Sequence, residues 1–175
     1  MGGALPIVSI GGKKWINVGS IGVKVFRGVN ELNLDQKGRV AMPSRYRELI
    51  ADVENQMVIT IDTESRCLLI YPLPEWEKIE RQVEALPSFN KAARRVQRLL
   101  IGHATEVNLD ANGRFLIPTP LRDYAKLDKR VVLIGQGKKF ELWDEASWSE
   151  SRAHWLQEEA KGEDDLPPSL LSISL

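Results

Sequence analysis

The chain has 175 residues, with 24 Lys and Arg against 24 Asp and Glu, and 43% of it is apolar. That length allows one domain or two small intertwined ones with a real core, and no run approaches the roughly 20 apolar residues needed to cross a bilayer. Cys67 is the single cysteine and His103 and His154 are the only histidines, which excludes an internal disulfide and argues against a thiolate metal cage or a Cys/His nucleophile pair. A reducing cytosol fits best.

Charge is unevenly spread. Residues 1–24 carry three lysines and no acid, residues 25–144 hold 19 basic and 17 acidic side chains, and residues 145–175 hold two basic and seven acidic ones. A weakly basic body with an acidic tail permits a polyanion partner without demanding one. The first 24 residues contain six Gly, and their lysines follow the short apolar stretch Leu5 to Ile10, the reverse of a signal peptide. They are read as an extension outside the fold, disordered or extraneous.

From Phe26 onward the chain repeats itself. The stretch Asn33-Leu34-Asp35-Gln36-Lys37-Gly38-Arg39-Val40-Ala41-Met42-Pro43-Ser44-Arg45-Tyr46-Arg47 returns 75 positions later as Asn108-Leu109-Asp110-Ala111-Asn112-Gly113-Arg114-Phe115-Leu116-Ile117-Pro118-Thr119-Pro120-Leu121-Arg122, with seven of fifteen positions identical. Met57-Val58-Ile59 aligns with Val132-Leu133-Ile134 in the same register, and after a three-residue slip Ile70-Tyr71 to Trp76 aligns with Leu142-Trp143 to Trp148. A period of this kind marks duplicated structural units.

Each unit reads as a short strand, an Asp-x-x-Gly turn, a short strand, a short helix and a hairpin. Asp35 and Asp110 can accept backbone N–H bonds at the start of the turn, and Gly38 and Gly113 can take the positive φ that closes it. Pro43 and Pro118 stand where a strand must stop and a helix can start. Met57 to Ile61 and Cys67 to Tyr71 form one expected hairpin; Val131 to Ile134 and Phe140 to Trp143 form the other. Between the units, Pro74 to Leu86 places Trp76, Ile79 and Val83 at helical spacing. Asn90 can cap a second helix with Val96, Leu99 and Leu100 on one face and Lys91, Arg94, Arg95 and Arg98 on the other. The tail beyond Trp148 holds one amphipathic stretch.

A unit of about four short strands has little interior of its own, so two copies are expected to interleave around a shared pseudo-twofold core. That symmetry would bring Arg39 and Arg47 of the first unit together with Arg114 and Arg122 of the second. The planar guanidinium fork suits phosphate, and it also matches guanine O6 and N7. The competing reading is a turn and nothing more, with Arg39 paired to Asp35. Recurrence of Arg at both turns favours an anion-binding patch, because fold symmetry explains repeated Gly and Pro but does not require repeated Arg. For Lys91 to Arg98 a solvated helix face is the simpler reading. Cys67, in an apolar run, reads as core, and His103 as an end-of-helix residue.

Together with Phe26-Arg27-Gly28, Cys67-Leu68-Leu69-Ile70-Tyr71-Pro72-Leu73-Pro74-Glu75-Trp76 and Arg94-Arg95-Val96-Gln97-Arg98, these segments closely resemble the MraZ family of bacterial transcriptional regulators from about residue 25 to the C-terminus. The resemblance implies an α+β fold of two tandem SpoVT-AbrB-type swapped-hairpin units, residues 29–76 and 105–148. A helical linker over 77–104 would join them, and an acidic tail over 149–175 would follow. No phosphate-loop, dinucleotide or zinc spacing appears in the chain, so no cofactor and no metal is expected. The resemblance also implies a cytoplasmic, nucleoid-associated protein that binds double-stranded DNA at direct repeats upstream of the division and cell-wall gene cluster, assembled as a ring-shaped homo-oligomer. The DNA-contact arginines of the family's Gly-Arg turns map onto Arg39 and Arg114. Arg47 and Arg122, with Lys37, are the expected phosphate contacts.

Two departures from the family pattern accompany the match. Val25 precedes Phe26-Arg27-Gly28 where family chains begin Met-Phe-Arg-Gly, so Val25 is read as the native initiator. Pro120 restricts the second helix start, so Arg122 is expected to point differently from Arg47. The rival readings are an AbrB-like, antitoxin-type interaction module using the acidic C-terminal stretch, and an enzyme resting only on Asp35, Asp110 and Cys67.

Overall fold

Residues 25–161 are described in a computed structural model; the extension over 1–24, and with it any bearing on Val25 as initiator, and the acidic residues beyond 161 lie outside the described residues. The first unit runs β1 (Phe26–Asn33), β2 (Arg39–Ala41), α1 (Ser44–Ala51), β3 (Gln56–Ile61) and β4 (Leu68–Pro72), then α2 (Leu73–Glu84) and α3 (Lys91–Leu100). The second runs β5 (Thr105–Asn108), β6 (Arg114–Leu116), α4 (Thr119–Tyr124), β7 (Arg130–Gly137), β8 (Lys139–Asp144) and α5 (Glu145–Lys161). The architecture is α+β, with five helices among the described residues and antiparallel strand pairing throughout.

Local signals start and stop these elements. Pro43 and Pro118 occupy the residue just before α1 and α4, in extended conformation with ψ of 136° and 142°; without an N–H they end the preceding strand pairing at no hydrogen-bond cost. The Asn90 side chain accepts from the N–H of Ala92 and Ala93, capping α3. At the other end of that helix, His103 Nδ1 lies 2.9 Å from the carbonyl oxygen of Leu99.

The strands form a six-stranded sheet in the order β1-β7-β8-β4-β3-β5 and a two-stranded ribbon of β2 with β6. Exchanging first-unit strands for their second-unit counterparts reverses the order of the large sheet and leaves it unchanged. Each unit's first strand therefore extends the other unit's hairpin: β1 pairs with β7 over its whole length, and β5 pairs with β3. The ribbon joins the units a second time, opposing Arg39 to Leu116, Val40 to Phe115 and Ala41 to Arg114.

One apolar core serves both units. Val40, Met42, Ile50, Met57, Ile59, Ile61, Leu68 and Ile70 meet Phe115, Ile117, Leu121, Val131, Leu133, Phe140 and Leu142 in a single cluster, each large buried side chain contributing about 1.5 to 3 kcal/mol. Phe26 and Tyr46 join it, stacking edge and face around Phe140 with ring centroids 4.1 to 5.8 Å apart. On the opposite face of the sheet, Cys67, Val132, Ile134 and Trp143 pack under Trp148. Burial pushes the Cys67 thiol well above the ordinary range, with Glu141 and Asp62 adding to it; the group is a core residue, not a nucleophile.

The register of the second hairpin corrects the sequence alignment by one residue. Asn33 opposes Arg130 and Asn108 opposes Gln56, so Gln56 corresponds to Arg130 and Met57-Val58-Ile59 to Val131-Val132-Leu133, not to Val132-Leu133-Ile134. The net loss of one residue comes from the helix, two residues shorter in the second unit (Thr119–Tyr124 against Ser44–Ala51), while the connection after it is one residue longer. The first unit leaves α1 through Glu54 and Asn55, both at positive φ, whereas the second leaves α4 through Lys126 alone. Because strand side chains alternate, this slip decides which residues face inward: Val131 and Leu133 enter the shared core, and Val132 and Ile134 turn to the outer cluster.

The helices after the hairpins differ. Helix α2 is covered by α3, to which it is tied by Gln97 donating to the carbonyl of Val83, and Val83 is 8% exposed. Helix α5 runs straight through residue 148, the end expected for the second unit, and Trp155, three turns from its start, remains 41% exposed.

Candidate nucleic-acid interface

The two Gly-Arg turns have the same construction. Asp35 Oδ1 accepts from the backbone N–H of Lys37 and of Arg39, each at 2.9 Å, while its Oδ2 accepts from Arg39 Nε at 2.8 Å and Nη2 at 2.7 Å. Asp110 Oδ1 accepts from Asn112 and Arg114 at 2.9 Å, and its Oδ2 from Arg114 Nε and Nη2 at 3.0 and 2.9 Å. Gly38 and Gly113 close the turns at φ of 80° and 70°, a conformation glycine adopts without steric cost. The pairing of Arg39 with Asp35, the competing reading of the sequence, is thus present in both copies.

That pairing shapes the arginines without consuming them. Each carboxylate takes Nε–H and one Nη2–H, so the Nη1–Nη2 edge of the same planar fork remains the edge that can meet two acceptors side by side. Both pairs are partly exposed, and an exposed pair contributes only about 0 to 1 kcal/mol. It orients the guanidinium more than it stabilises the fold. The Arg39 backbone N–H, followed by its side chain, holds the Asp35 carboxyl down at about 2, and the Arg114 backbone N–H is the main cause of the lowered Asp110 value. Both oxygens of each carboxylate are engaged by its own turn, which is the structural role of Asp35 and Asp110.

The ribbon brings the turns together. Val40 and Phe115 point inward and are buried, so strand alternation sends Arg39 and Ala41 outward from β2 and Arg114 and Leu116 outward from β6. Arg39 and Arg114 lie on the diagonal of this outer face, roughly 7 to 8 Å apart by the geometry of antiparallel pairs. Sequence reading missed Ala41 and Leu116. Alternation from Arg114 could have placed Leu116 on the same face, but its opposition to Arg39 depends on a pairing between units that no local pattern specifies.

Arg47 and Arg122 come to the same place by crossing between units. A Cβ on Gly113 would stand 2.4 Å from Arg47 Nε, and one on Gly38 would stand 2.6 Å from Arg122 Cζ. Each arginine side chain packs against the other unit's turn glycine, and both glycines are buried. Arg47 Nε donates to the carbonyl of Met42 at 2.8 Å. Arg122 instead donates from Nη2 to Thr119 Oγ1 at 2.7 Å, and its buried Nε has no hydrogen-bond partner. Pro120 therefore does not send Arg122 elsewhere; it keeps the same seat with different hydrogen bonds. Lys37 is exposed at the turn tip.

Lys91, Arg94, Arg95 and Arg98 of α3 are exposed on its outer face, as a solvated stripe would be. No cluster of three or more His, Cys, Asp or Glu among the described residues could hold a metal ion, and no described helix is long and apolar enough to cross a membrane.

These features define a class: two-repeat α+β proteins joined by a cross-unit ribbon that presents duplicated, carboxylate-held arginines. The chain belongs to the MraZ family, whose model, described as MraZ protein with an antitoxin-like relationship, matches residues 25–99 and again 100–165. It is 59% identical over 152 residues to the transcriptional regulator MraZ of Halorhodospira halophila, covering 86% of this chain and all of that protein. The proteins of the same name from Coxiella burnetii and Legionella pneumophila are 58% and 55% identical over the same shares. The family is one of transcriptional regulators, not of enzymes.

Proposed function

We propose that the protein is a sequence-specific DNA-binding transcriptional regulator whose reading head is the outer face of the β2–β6 ribbon. The observation that carries this is the pair of identically built, carboxylate-oriented arginines, Arg39 and Arg114, displayed on one two-stranded ribbon. A ribbon of two strands fits the major groove, and an oriented guanidinium fork is the commonest reader of guanine O6 and N7. Lys37, Arg47 and Arg122 hold phosphates beside it. The exchange of first strands between hairpins supports assignment of the two units to the SpoVT-AbrB swapped-hairpin type. The target is direct repeats in the promoter region of its own gene, within the division and cell-wall cluster, where it acts as a repressor in the nucleoid.

One chain on one short box binds weakly, and several linked copies on tandem boxes gain avidity of roughly 10² to 10⁴. Self-association of unlike units, head to tail, closes into a ring where the rotation permits. Supporting surfaces are Phe89, 97% exposed beside the basic face of α3, and Trp155 with Leu156 on α5 beside Glu158 and Glu159. The exposed Trp155 and Leu156 of α5 are also what an antitoxin-type interaction module would use, and a foreign protein bound there in place of DNA would favour that reading.

The deciding experiment is binding of the full chain to a labelled fragment upstream of its gene, against random DNA, across a salt series. Arg39→Ala and Arg114→Ala should each cost about 1 to 3 kcal/mol per bound copy and erode discrimination. Equal loss on both DNAs would demote these arginines to phosphate contacts, and no preference by the wild type at any salt would overturn the reading.

A further inference from the structure

The outer face of the ribbon departs from symmetry at one pair of positions. Ala41 and Leu116 are counterparts in the two units, both exposed, and each stands directly opposite the other unit's turn arginine: Leu116 opposite Arg39, Ala41 opposite Arg114. Leu116 is 52% exposed and belongs to neither apolar cluster. Its neighbours on the same face are the two arginines, both turned to their carboxylates. Nothing in the folded chain requires a leucine there, since the first unit makes the same turn, the same ribbon pairing and the same buried contact with alanine in its place.

We infer that Leu116 is a base-reading residue, making apolar contact with a thymine 5-methyl group next to the base read by Arg39, and that the Leu116/Ala41 difference gives the two halves of the reading head unequal specificity. The inference rests on the ribbon being the DNA-reading surface. Directly opposed side chains on a ribbon stand about 4.5 to 5.5 Å apart at Cβ, comparable to the roughly 3.4 Å rise between stacked bases, so neighbouring side chains meet neighbouring base edges. In the major groove only thymine offers a methyl group, and an apolar side chain is its natural partner. Arg39 with Leu116 therefore reads a guanine beside a thymine, whereas Arg114 with Ala41 reads a guanine with a weaker preference beside it. A pseudo-symmetric protein so built binds a box in one orientation, which is what direct repeats need.

The test uses the full chain. Sites are selected from a random duplex library by the wild type, Leu116→Ala and Ala41→Leu, with Arg39→Ala as control. Affinities are then measured on the wild-type site with each thymine replaced in turn by deoxyuridine, which removes only the methyl. The wild type should lose about fourfold at one thymine, the worth of one buried methyl, and Leu116→Ala should lose most of that discrimination, falling to the weaker preference of the Ala41 half. Ala41→Leu should acquire a second thymine preference symmetrically placed in the box. Unchanged thermal midpoints are expected, since both positions are exposed, and they separate reading from folding. Equal binding of thymine and deoxyuridine sites by the wild type, or methyl discrimination undiminished in Leu116→Ala, overturns the inference while loss of selection in Arg39→Ala keeps the reading head. If the wild type selects no site, or Arg39→Ala selects as well as the wild type, the ribbon is not the reading surface and the inference falls with it.

Discussion

The two ends of the β2–β6 ribbon share a turn and differ in the helix that follows. At both ends an aspartate collects two backbone N–H groups and a guanidinium with nearly the same distances. Behind the first turn Arg122 lies on Gly38 with a buried, unpartnered Nε; behind the second, Arg47 lies on Gly113 with its Nε bonded to Met42. The turn is closed by contacts within five residues, so duplication copied it whole. The seat of each crossing arginine depends on the other unit's backbone and on its own helix start, where Arg45 and Pro120 are counterparts, and there the copies have diverged. Identical local chemistry thus sits on unequal supports.

The ribbon itself is the most consequential place to break that comparison. Phe115, fully buried in the shared core, joins the units with Val40, and Phe115→Ala should lower unfolding free energy by about 3 to 5 kcal/mol, measured by denaturant titration. A loss confined to one unit's signals would show that the units fold separately.

Alanine at the turn glycines comes next and sharpens the contrast. Both Gly38→Ala and Gly113→Ala impose positive φ on a side chain, costing about 1 to 3 kcal/mol, and both push a guanidinium aside. Arg47 must give up its bond to Met42 while Arg122 has no such Nε bond to lose, so Gly113→Ala should be the more damaging. Equal melting shifts would mean that the crossing arginines are equivalent after all. Thr119→Ala removes the hydrogen-bond partner of Arg122 Nη2 and should cost about 1 kcal/mol or less, with no counterpart effect in Ser44→Ala.

The smallest expected effect is acidic. The folded Asp35 value of about 2 lies below the unfolded value of about 4, so its contribution to stability is complete above about pH 4 and is lost as pH falls towards 2; Asp110 follows in the same direction. Stability of wild type and Asp35→Asn should therefore differ by a constant amount above pH 5 and converge in strong acid. A difference that changes between pH 6 and 8 would assign the effect to another group.

The doubled unit, the Asp and Gly turns, the proline-marked helix starts and the Asn90 cap were all legible in the chain because each depends on residues a few positions apart. The pairing of Arg39 with Asp35 was legible too, as one of two readings that turn out to be compatible. The one-residue slip before β7 was not. Hydrophobic residues at Val131, Val132, Leu133 and Ile134 fit either face, and only pairing with β1, 97 to 111 positions away, selects which of them enter the core.

Sequence by itself determined the family, the repeat and the local shape of both turns, since backbone conformation there follows from Asp, Gly and Pro over short spans. Tertiary structure alone decided that each first strand joins the other unit's hairpin, that Arg47 and Arg122 cross to cover Gly113 and Gly38, and that Leu116 faces outward beside Arg39. Those outcomes are set by long-range strand pairing and by the burial of one common core, where the partner of a residue depends on how the whole chain closes.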